Sequence, residues 1–329
     1  MLRVGLLGAG EAGALHARAL AAAQAEGLVA WSAVGARDLA RATAQCAELG
    51  KPPGTRVVSP DELLTAELCD AVIIATPDGL HREHAMKAMA SGLHVLVEKP
   101  LALTSDDAND LVAFARDRDR VLQVGYHLRH HPGHELVRRD LQALVGSLNT
   151  IFIRWARPDL LLTTEASRPH PDSARWWSLA TLGTHCIDLA LGFAAGAVTD
   201  AVCMRHPQRG LDRAAEVSLR FTGGPLAHIS VSLEHRARSV VLLTGSDGEI
   251  ECLGTLGAHG GGTILHRTAD SLRGALLHPS APERTLAFVA EDPYLRQLRT
   301  FAARCGEGRM RIDAHAVSNV EVLDLITPA

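Results

Sequence analysis

Residues 2–24, "LRVGLLGAGEAGALHARALAAAQ", decide the fold. An apolar run ends in a glycine turn, and an alanine-rich helical segment follows directly. Gly8, Gly10 and Gly13 have the spacing G-x-G-x-x-G between a strand and a helix. In that context Gly8 permits the tight turn, Gly10 lets a pyrophosphate approach the backbone, and Gly13 lets the helix pack close to the strand. Ala9, Glu11 and Ala12 fill the turn, and the helix N-terminus supplies N–H donors and the positive end of a dipole. The pattern predicts a dinucleotide site.

The alternation continues outward from this stretch. "LVAWSAVGA" (28–36), "DAVIIAT" (70–76), "HVLVEKP" (94–100) and "VLQVGY" (121–126) have the length and apolar content of strands. Between them, "DLARATAQCAELG" (38–50), closed by Gly50, "HREHAMKAMASG" (81–92) and "SDDANDLVAFARDRD" (105–119), capped by Thr104 or Ser105, have the signals of helices. Short strands separated by longer helices make βαβ units and a parallel sheet. The fold class is α/β, with an N-terminal Rossmann domain over residues 1–121 and a second domain over 122–329. From about Gly196 the pattern changes to β-rich runs, among them "AVTDAVCMRH" (197–206), "AAEVSLRF" (214–221), "LAHISVSLEH" (226–235), "SVVLLTGSDGEIEC" (239–252) and "GGGTILHRT" (260–268). Gly-Gly and Asp-Gly turns between them predict antiparallel hairpins. One face of that sheet is expected to be covered either by a helix on the side of residues 147–149 or by "DPYLRQLRTFAARCG" (292–306), and the closing "DAHAVSNVEVLDLI" to return as a helix to the Rossmann domain.

Composition excludes several classes. The 329 residues, 47% of them hydrophobic, suffice for two ordinary cores. No apolar run reaches the roughly 18 residues of a membrane span, and "MLRVGLLGAGEAG" lacks the features of a signal peptide. Six scattered cysteines without a C-x-x-C pair suit the reduced thiols of a cytoplasmic protein and argue against structural zinc. A net charge of −4 without a basic block argues against nucleic acid and for a small-molecule partner.

Two positions carry chemical expectations of their own. The strand 94–97 ends in Glu98 and Lys99 before Pro100, where an unpaired buried charge would cost several kcal/mol, so the pair needs a partner, solvent or a task. Only Lys51, Lys87 and Lys99 are lysine among 33 basic residues; lysine, unlike arginine, can shift its pKa and exchange a proton. In "VGARD" (34–38), Ala36 and Arg37 occupy the place where an NAD site usually has a ribose-binding carboxylate. Arg37 favours the 2′-phosphate of NADP. Asp38 is either the N-cap of the next helix or an inward acceptor, which would restore NAD.

"GLLGAGEAGALHARAL", "ATPDGLHREHAMKAMASGLHVLVEKPLALT", "GYHLRHHP" and "GTHCIDLA", in this order, resemble the glucose-fructose oxidoreductase, inositol dehydrogenase and rhizopine-catabolism family, Gfo/Idh/MocA. The resemblance implies a C-terminal α/β domain with a large open, here mostly antiparallel, sheet. One face would roof nicotinamide and substrate; the other is a common contact for a homodimer or homotetramer. It implies Lys99 beside the substrate as a proton acceptor, with Glu98 fixing the lysine or contacting cofactor. Thr76, Pro77 and His81 match a cofactor turn in which Asp78 replaces the usual asparagine; His81 would reach the ribose or orient the following helix. Tyr126, Arg129 and Pro132 match a junction segment, which makes Tyr126 and Arg129 substrate candidates and leaves His127, His130, His131 and His134 without a metal role.

The resemblance further implies that His185 binds the reacting hydroxyl or carbonyl, a task suited to its near-neutral free pKa. Many members carry an aspartate four residues earlier; here it is Thr181, and Asp188 and Asp172 are the other carboxylates at hand. Trp176 and Trp177 would line a sugar surface or anchor the loop, with Arg154, Arg157, Arg168 and Arg175 hinting at an anionic substrate group. Tyr294 resembles a position near the cofactor, and Phe301 is expected in the core. The implied activity is hydride transfer between NADP, preferred, or NAD and a carbinol or carbonyl carbon of a sugar, cyclitol or related polyol. The alternatives are a non-catalytic NAD(P)-sensing protein, permitted by Thr181, and a reductase of an imine or nucleotide sugar.

Overall fold

The computed structural model describes residues 1–48, 54–158, 175–207, 211–271, 283–307, 311–313 and 315–327; Gly50, Lys51, Arg168 and Asp172 lie outside the described residues. The chain divides into two compact units, Met1–His127 with Tyr294–Glu321, and Leu128–Pro293 with Val322–Ala329. In chain order the first segment holds β1 (Leu2–Leu7), α1 (Glu11–Ala25), β2 (Val29–Gly35), α2 (Leu39–Glu48), β3 (Arg56–Val58), α3 (Pro60–Leu63), β4 (Ala71–Ile74), α4 (His81–Ala90), β5 (His94–Val97), α5 (Ser105–Asp117) and β6 (Leu122–Val124). Then come α6 (Pro132–Val145), β7 (Leu148–Ala156), α7 (Thr184–Ala194), β8 (Val198–His206), β9 (Ala214–Phe221), β10 (Leu226–Ser232), β11 (Val240–Gly245), β12 (Gly248–Leu253), β13 (Thr263–Thr268), β14 (Arg284–Leu286), α8 (Pro293–Gly306) and α9 (Ala316–Ile326).

The first sheet has the order β3-β2-β1-β4-β5-β6, with every pair parallel. Its continuous apolar strands are buried on both faces, and the period of two divides them between two cores. Leu7, Val72, Ile74, Val95 and Val97 belong to one core with residues of α4 and α5. Val4, Leu6, Ile73 and Leu96 belong to the other with Ala17 and Leu20 of α1. Helix α8, one of the two candidates for covering the second sheet, belongs instead to the first unit. Its apolar stripe of Tyr294, Leu298 and Phe301 packs into the core on the α1 side. A chain segment also covers the outer edge of β6. Leu122 N donates to Arg311 O at 2.9 Å and Asp313 N to Leu122 O at 3.1 Å, and Asp313 Oδ2 accepts from Val124 N at 2.9 Å. An edge so covered cannot pair with another strand.

The second sheet has eight strands in the order β14-β13-β12-β11-β7-β10-β9-β8. Among the described residues only β7 and β10 pair in parallel; the other pairs are antiparallel. The central β7 and the short β14 lie outside the runs that sequence patterning assigns. Helices α6 and α7 pack on one face. Toward the other face the strands alternate, as β9 does with Glu216, Ser218 and Arg220 exposed between buried neighbours. Val202 and Met204 of the edge strand β8 are 61% and 70% exposed.

Candidate active site

The crevice of a doubly wound sheet opens where strand order reverses, here between the carboxyl ends of β1 and β4. Gly8 has φ +113°, and a Cβ there would stand 2.3 Å from Ala75 O at the end of β4. A Cβ on Gly13 would stand 2.2 Å from Gly8 O, so two of the three glycines are required by close packing. At Gly10 a Cβ would meet nothing within 4 Å. Helix α1 starts there with no side-chain cap hydrogen bond, and its N-terminus carries the positive end of the helix dipole. Ala9, Glu11 and Ala12 line the same turn. These features fit the diphosphate of a dinucleotide.

Ala36 is buried, with its N–H bonded to Val58 O at 3.1 Å, while Arg37 after it is exposed. Asp38 is the N-cap of α2: its Oδ1 accepts from Arg41 N at 2.9 Å. The carboxylate on which an NAD reading would rest is therefore engaged by the helix.

The adjacent strand ends carry the remaining expected residues of the first unit. Thr76 Oγ1 lies 3.1 Å from His84 Nδ1, and Pro77 is exposed. His81 is buried, its Nδ1 2.7 Å from Pro100 O and its Nε2 2.9 Å from Thr76 O. It thus ties the loop after β4 to the loop that carries Lys99; of its two expected roles, the structure displays the orienting one. Burial raises the pKa of Asp78, against the opposing influence of His81 and Lys99.

Glu98 is 5% exposed. One oxygen, Oε1, lies 2.8 Å from His16 Nε2, and Oε2 accepts from Lys99 N at 3.2 Å. Burial pushes this carboxyl upward, but the hydrogen bond from His16 and the electrostatic pull of His16, Lys99 and His127 outweigh it and hold the pKa at about 2. Burial lowers the Lys99 pKa, against Glu98, Asp78 and Glu11, which favour the ammonium. The result is a lysine at a crevice rim with easier access to its neutral form. His16 was not expected from the motifs. Its signal is a histidine on the buried stripe of α1, with Gly13, Ala17 and Leu20. Tyr126 is fully buried among the core residues of the first unit.

The second unit holds the other expected residues. Leu179–Gly183 forms a π-helical turn leading into α7. Thr181 and His185, four residues apart, follow one another along this segment. Thr181 N donates to Trp177 O at 2.8 Å; His185 is buried, its ring 5.8 Å from that of Trp155. Asp212, which no motif marks, is fully buried at the start of the turn. Its Oδ1 accepts from Trp177 N at 3.0 Å, and its Oδ2 accepts from Leu179 N at 2.8 Å and from the Ser178 hydroxyl.

Arg129 pairs with Asp188, its Nε 3.0 and 2.8 Å from the two carboxylate oxygens. Asp188 thus makes a structural ion pair with Arg129. Trp176 has no exposed surface and donates from Nε1 to Thr327 Oγ1 at 2.7 Å. Of its two expected roles, the structure displays the anchoring one. Arg175 lies over that ring at 4.7 Å and pairs with Asp324. Arg154 Nε donates to Arg238 O at 2.9 Å.

The clustered histidines are engaged separately. His127 stacks on Tyr294 at 4.5 Å, and His130 faces Glu135 at 4.0 Å. His131 accepts at Nδ1 from Gly133 N, and His134 lies 2.9 Å from Thr255 Oγ1. Among the described residues no group of three or more His, Cys, Asp or Glu is arranged to hold a metal.

Comparison with known proteins agrees with this picture. Residues 2–126 match the model described as "Oxidoreductase family, NAD-binding Rossmann fold", and residues 145–258 match "GFO/IDH/MocA C-terminal domain". The chain is 32% identical over 197 residues to dTDP-3,4-didehydro-2,6-dideoxy-alpha-D-glucose 3-reductase of Saccharopolyspora spinosa, a match that spans 59% of this chain and 58% of that protein. It is 30% identical over 277 residues to inositol 2-dehydrogenase 1 of Saccharopolyspora erythraea, over 75% of this chain and 78% of that one. Its fold is that of a 3-ketoreductase from Actinomadura kijaniata solved with TDP-benzene and NADP, with a TM-score of 0.79, 24% identity, and 99% and 96% of the two chains covered.

Proposed function

The chain belongs to the Gfo/Idh/MocA family of NAD(P)-binding oxidoreductases, and from that premise we propose that it is an NADP-preferring enzyme acting at a carbinol or carbonyl carbon of a sugar, cyclitol or related polyol. The observation that carries this reading is Lys99. It stands at the carboxyl end of β5 in the sheet whose β1 ends in the glycine turn, with a pKa lowered by burial. Gly8 to Gly13, Ala36, Arg37, Thr76, Pro77 and Glu98 would hold the dinucleotide, and the segment from about residue 122 onward would hold substrate and the contact of a homodimer or homotetramer. When bound, the dinucleotide supplies or accepts the hydride.

The chain's own groups move the proton. In oxidation the neutral amine of Lys99 takes it from the substrate hydroxyl; in reduction the ammonium returns it to the carbonyl oxygen. His185 binds the same oxygen, and Thr181 beside it in sequence contributes a hydroxyl where a carboxylate would carry charge. Arg37 reads the 2′-phosphate, a role supported by the engagement of Asp38 as a helix cap. Six free cysteines suit a reducing cytoplasm.

The similarity to a nucleotide-sugar 3-reductase favours one further reading, reduction of a keto group on a nucleotide-linked sugar. A cofactor-sensing protein without turnover is the remaining alternative. The test is a fluorescence titration of cofactor-free protein with NADPH and NADH, followed by screening polyols and keto sugars. Tight NADPH binding that Arg37→Ala weakens about tenfold, with NADH unaffected, supports the proposal. Binding of neither cofactor overturns it, and binding without any turnover turns the reading to the sensor.

A further inference from the structure

The geometry points to His16 as a positioning residue for Lys99: from helix α1 it holds the Glu98 carboxylate, and Glu98 in turn fixes the peptide and the charge environment of the lysine. This rests on the reading of Lys99 given above and adds a residue that the glycine and E-K-P motifs do not contain.

His16 is 1% exposed on the stripe that α1 turns inward. Packing alone would be served by leucine at such a place, whereas a buried imidazole requires a partner. The partner is 82 residues away in sequence: Nε2 lies 2.8 Å from Glu98 Oε1. An ionised carboxylate only accepts, so Nε2 carries the proton of this bond. The other carboxylate oxygen accepts the main-chain N–H of Lys99 at 3.2 Å.

Both groups are held from further sides. The His16 ring meets Tyr294 edge to face, with 5.1 Å between centroids and 85° between planes. Tyr294 stacks on His127 at 4.5 Å and 15°. Opposite the carboxyl stands Gly125, where a Cβ would come within 2.9 Å of the Glu98 carboxyl carbon. Glu98 therefore has little freedom to turn away from either His16 or the Lys99 peptide. Helix α1 begins at the glycine turn, so one rigid element joins that turn to the support of the lysine.

The charge consequence follows from the groups that face each site. Lys99 is influenced by Glu98, Asp78 and Glu11, with Glu98 the strongest of the three in favouring the ammonium. Glu98 is kept ionised by His16, Lys99 and His127 against its burial. Without the His16 donor, burial prevails, Glu98 takes up a proton, and the ammonium of Lys99 loses its main support.

Lysine is scarce enough to read this directly. Reductive methylation with 13C-formaldehyde labels only Lys51, Lys87, Lys99 and the N-terminal amine, so Lys99 can be titrated by NMR in the whole protein. In His16→Leu the Lys99 midpoint is expected to fall by about one pH unit. The Glu98 carboxyl, followed by 13C labelling, moves from about 2 in the wild type to above 4.5. His16→Gln, which keeps a neutral donor within reach, returns most of both shifts. If the leucine variant does not fold, His16→Asn, whose amide is too short to reach Glu98, takes its place. A histidine that only filled space would leave the Lys99 midpoint unchanged, and that result overturns the proposal, as does a glutamine variant no better than leucine. NADPH binding by the wild type, measured in parallel, keeps the two readings apart: its absence sinks the oxidoreductase reading, while a Lys99 midpoint indifferent to His16 sinks this one alone.

Discussion

In the first unit β1, β4 and β5 have both faces covered, so the side chains of Val4, Leu6, Leu7, Val72 to Ile74 and Val95 to Val97 are all buried. Polar chemistry has no place along such strands and gathers at their carboxyl ends, in Gly8 to Gly13, Thr76 to His81 and Glu98 with Lys99. In the second unit the strands alternate, and polar side chains stand along their whole length on one face. The buried polar groups there meet one another: Arg129 with Asp188, His134 with Thr255, Trp176 with Thr327, and Asp212 with the amides of Trp177 and Leu179. A parallel sheet thus presents its polar groups to whatever enters the crevice, whereas the second unit spends many of its own on holding helices and loops. Substitutions in the two units should separate stability from chemistry accordingly.

The largest effect is expected at Arg129, because Arg129→Met leaves the Asp188 carboxylate, 1% exposed, without its cation. The cost should be about 3–5 kcal/mol in urea melts, with NADPH affinity of the folded fraction unchanged. Adding Asp188→Leu should restore most of it. A single variant as stable as wild type would break the contrast between the units.

Gly8→Ala places a side chain at φ +113° and 2.3 Å from Ala75 O. A loss of about 2–4 kcal/mol is expected, together with loss of tight NADPH binding, because here the backbone itself is the site. Retained affinity would show that the turn tolerates displacement.

Lys99→Met should reverse the Arg129 pattern. Turnover falls about a hundredfold or more, equivalent to about 2.7 kcal/mol, while the melt and NADPH affinity stay near wild type. With its pKa lowered, Lys99 gives an oxidation rate that rises with pH and reaches half its maximum below the 10.5 of a free lysine. A pH profile without that limb, or full activity in the methionine variant, would remove Lys99 from the proton path.

How far the sequence reaches is clearest from particular residues. The glycine turn, the strand ending at Glu98 and the hairpins after residue 213 were legible because each depends on neighbours a few positions away. Strand β7 has the period-two burial of a strand in Ile151, Ile153 and Trp155, but its place at the centre, bracketed by β10 and β11, follows only from those pairings. Helix α8 has an apolar stripe that fits either sheet, and only packing with α1 decides between them. Trp176 has the residue type of a sugar platform, yet its indole is spent on Thr327 near the chain end.

By itself the sequence determined the doubly wound plan of the first unit, the seat for a dinucleotide and the position of Lys99 at a strand end, since hydrophobic periodicity and backbone sterics act over short stretches of chain. Tertiary structure decided which charges meet. His16 finds Glu98 across 82 residues and Arg129 finds Asp188 across 59, because a buried charge takes the partner that packing brings within about 3 Å, and no local pattern encodes that distance.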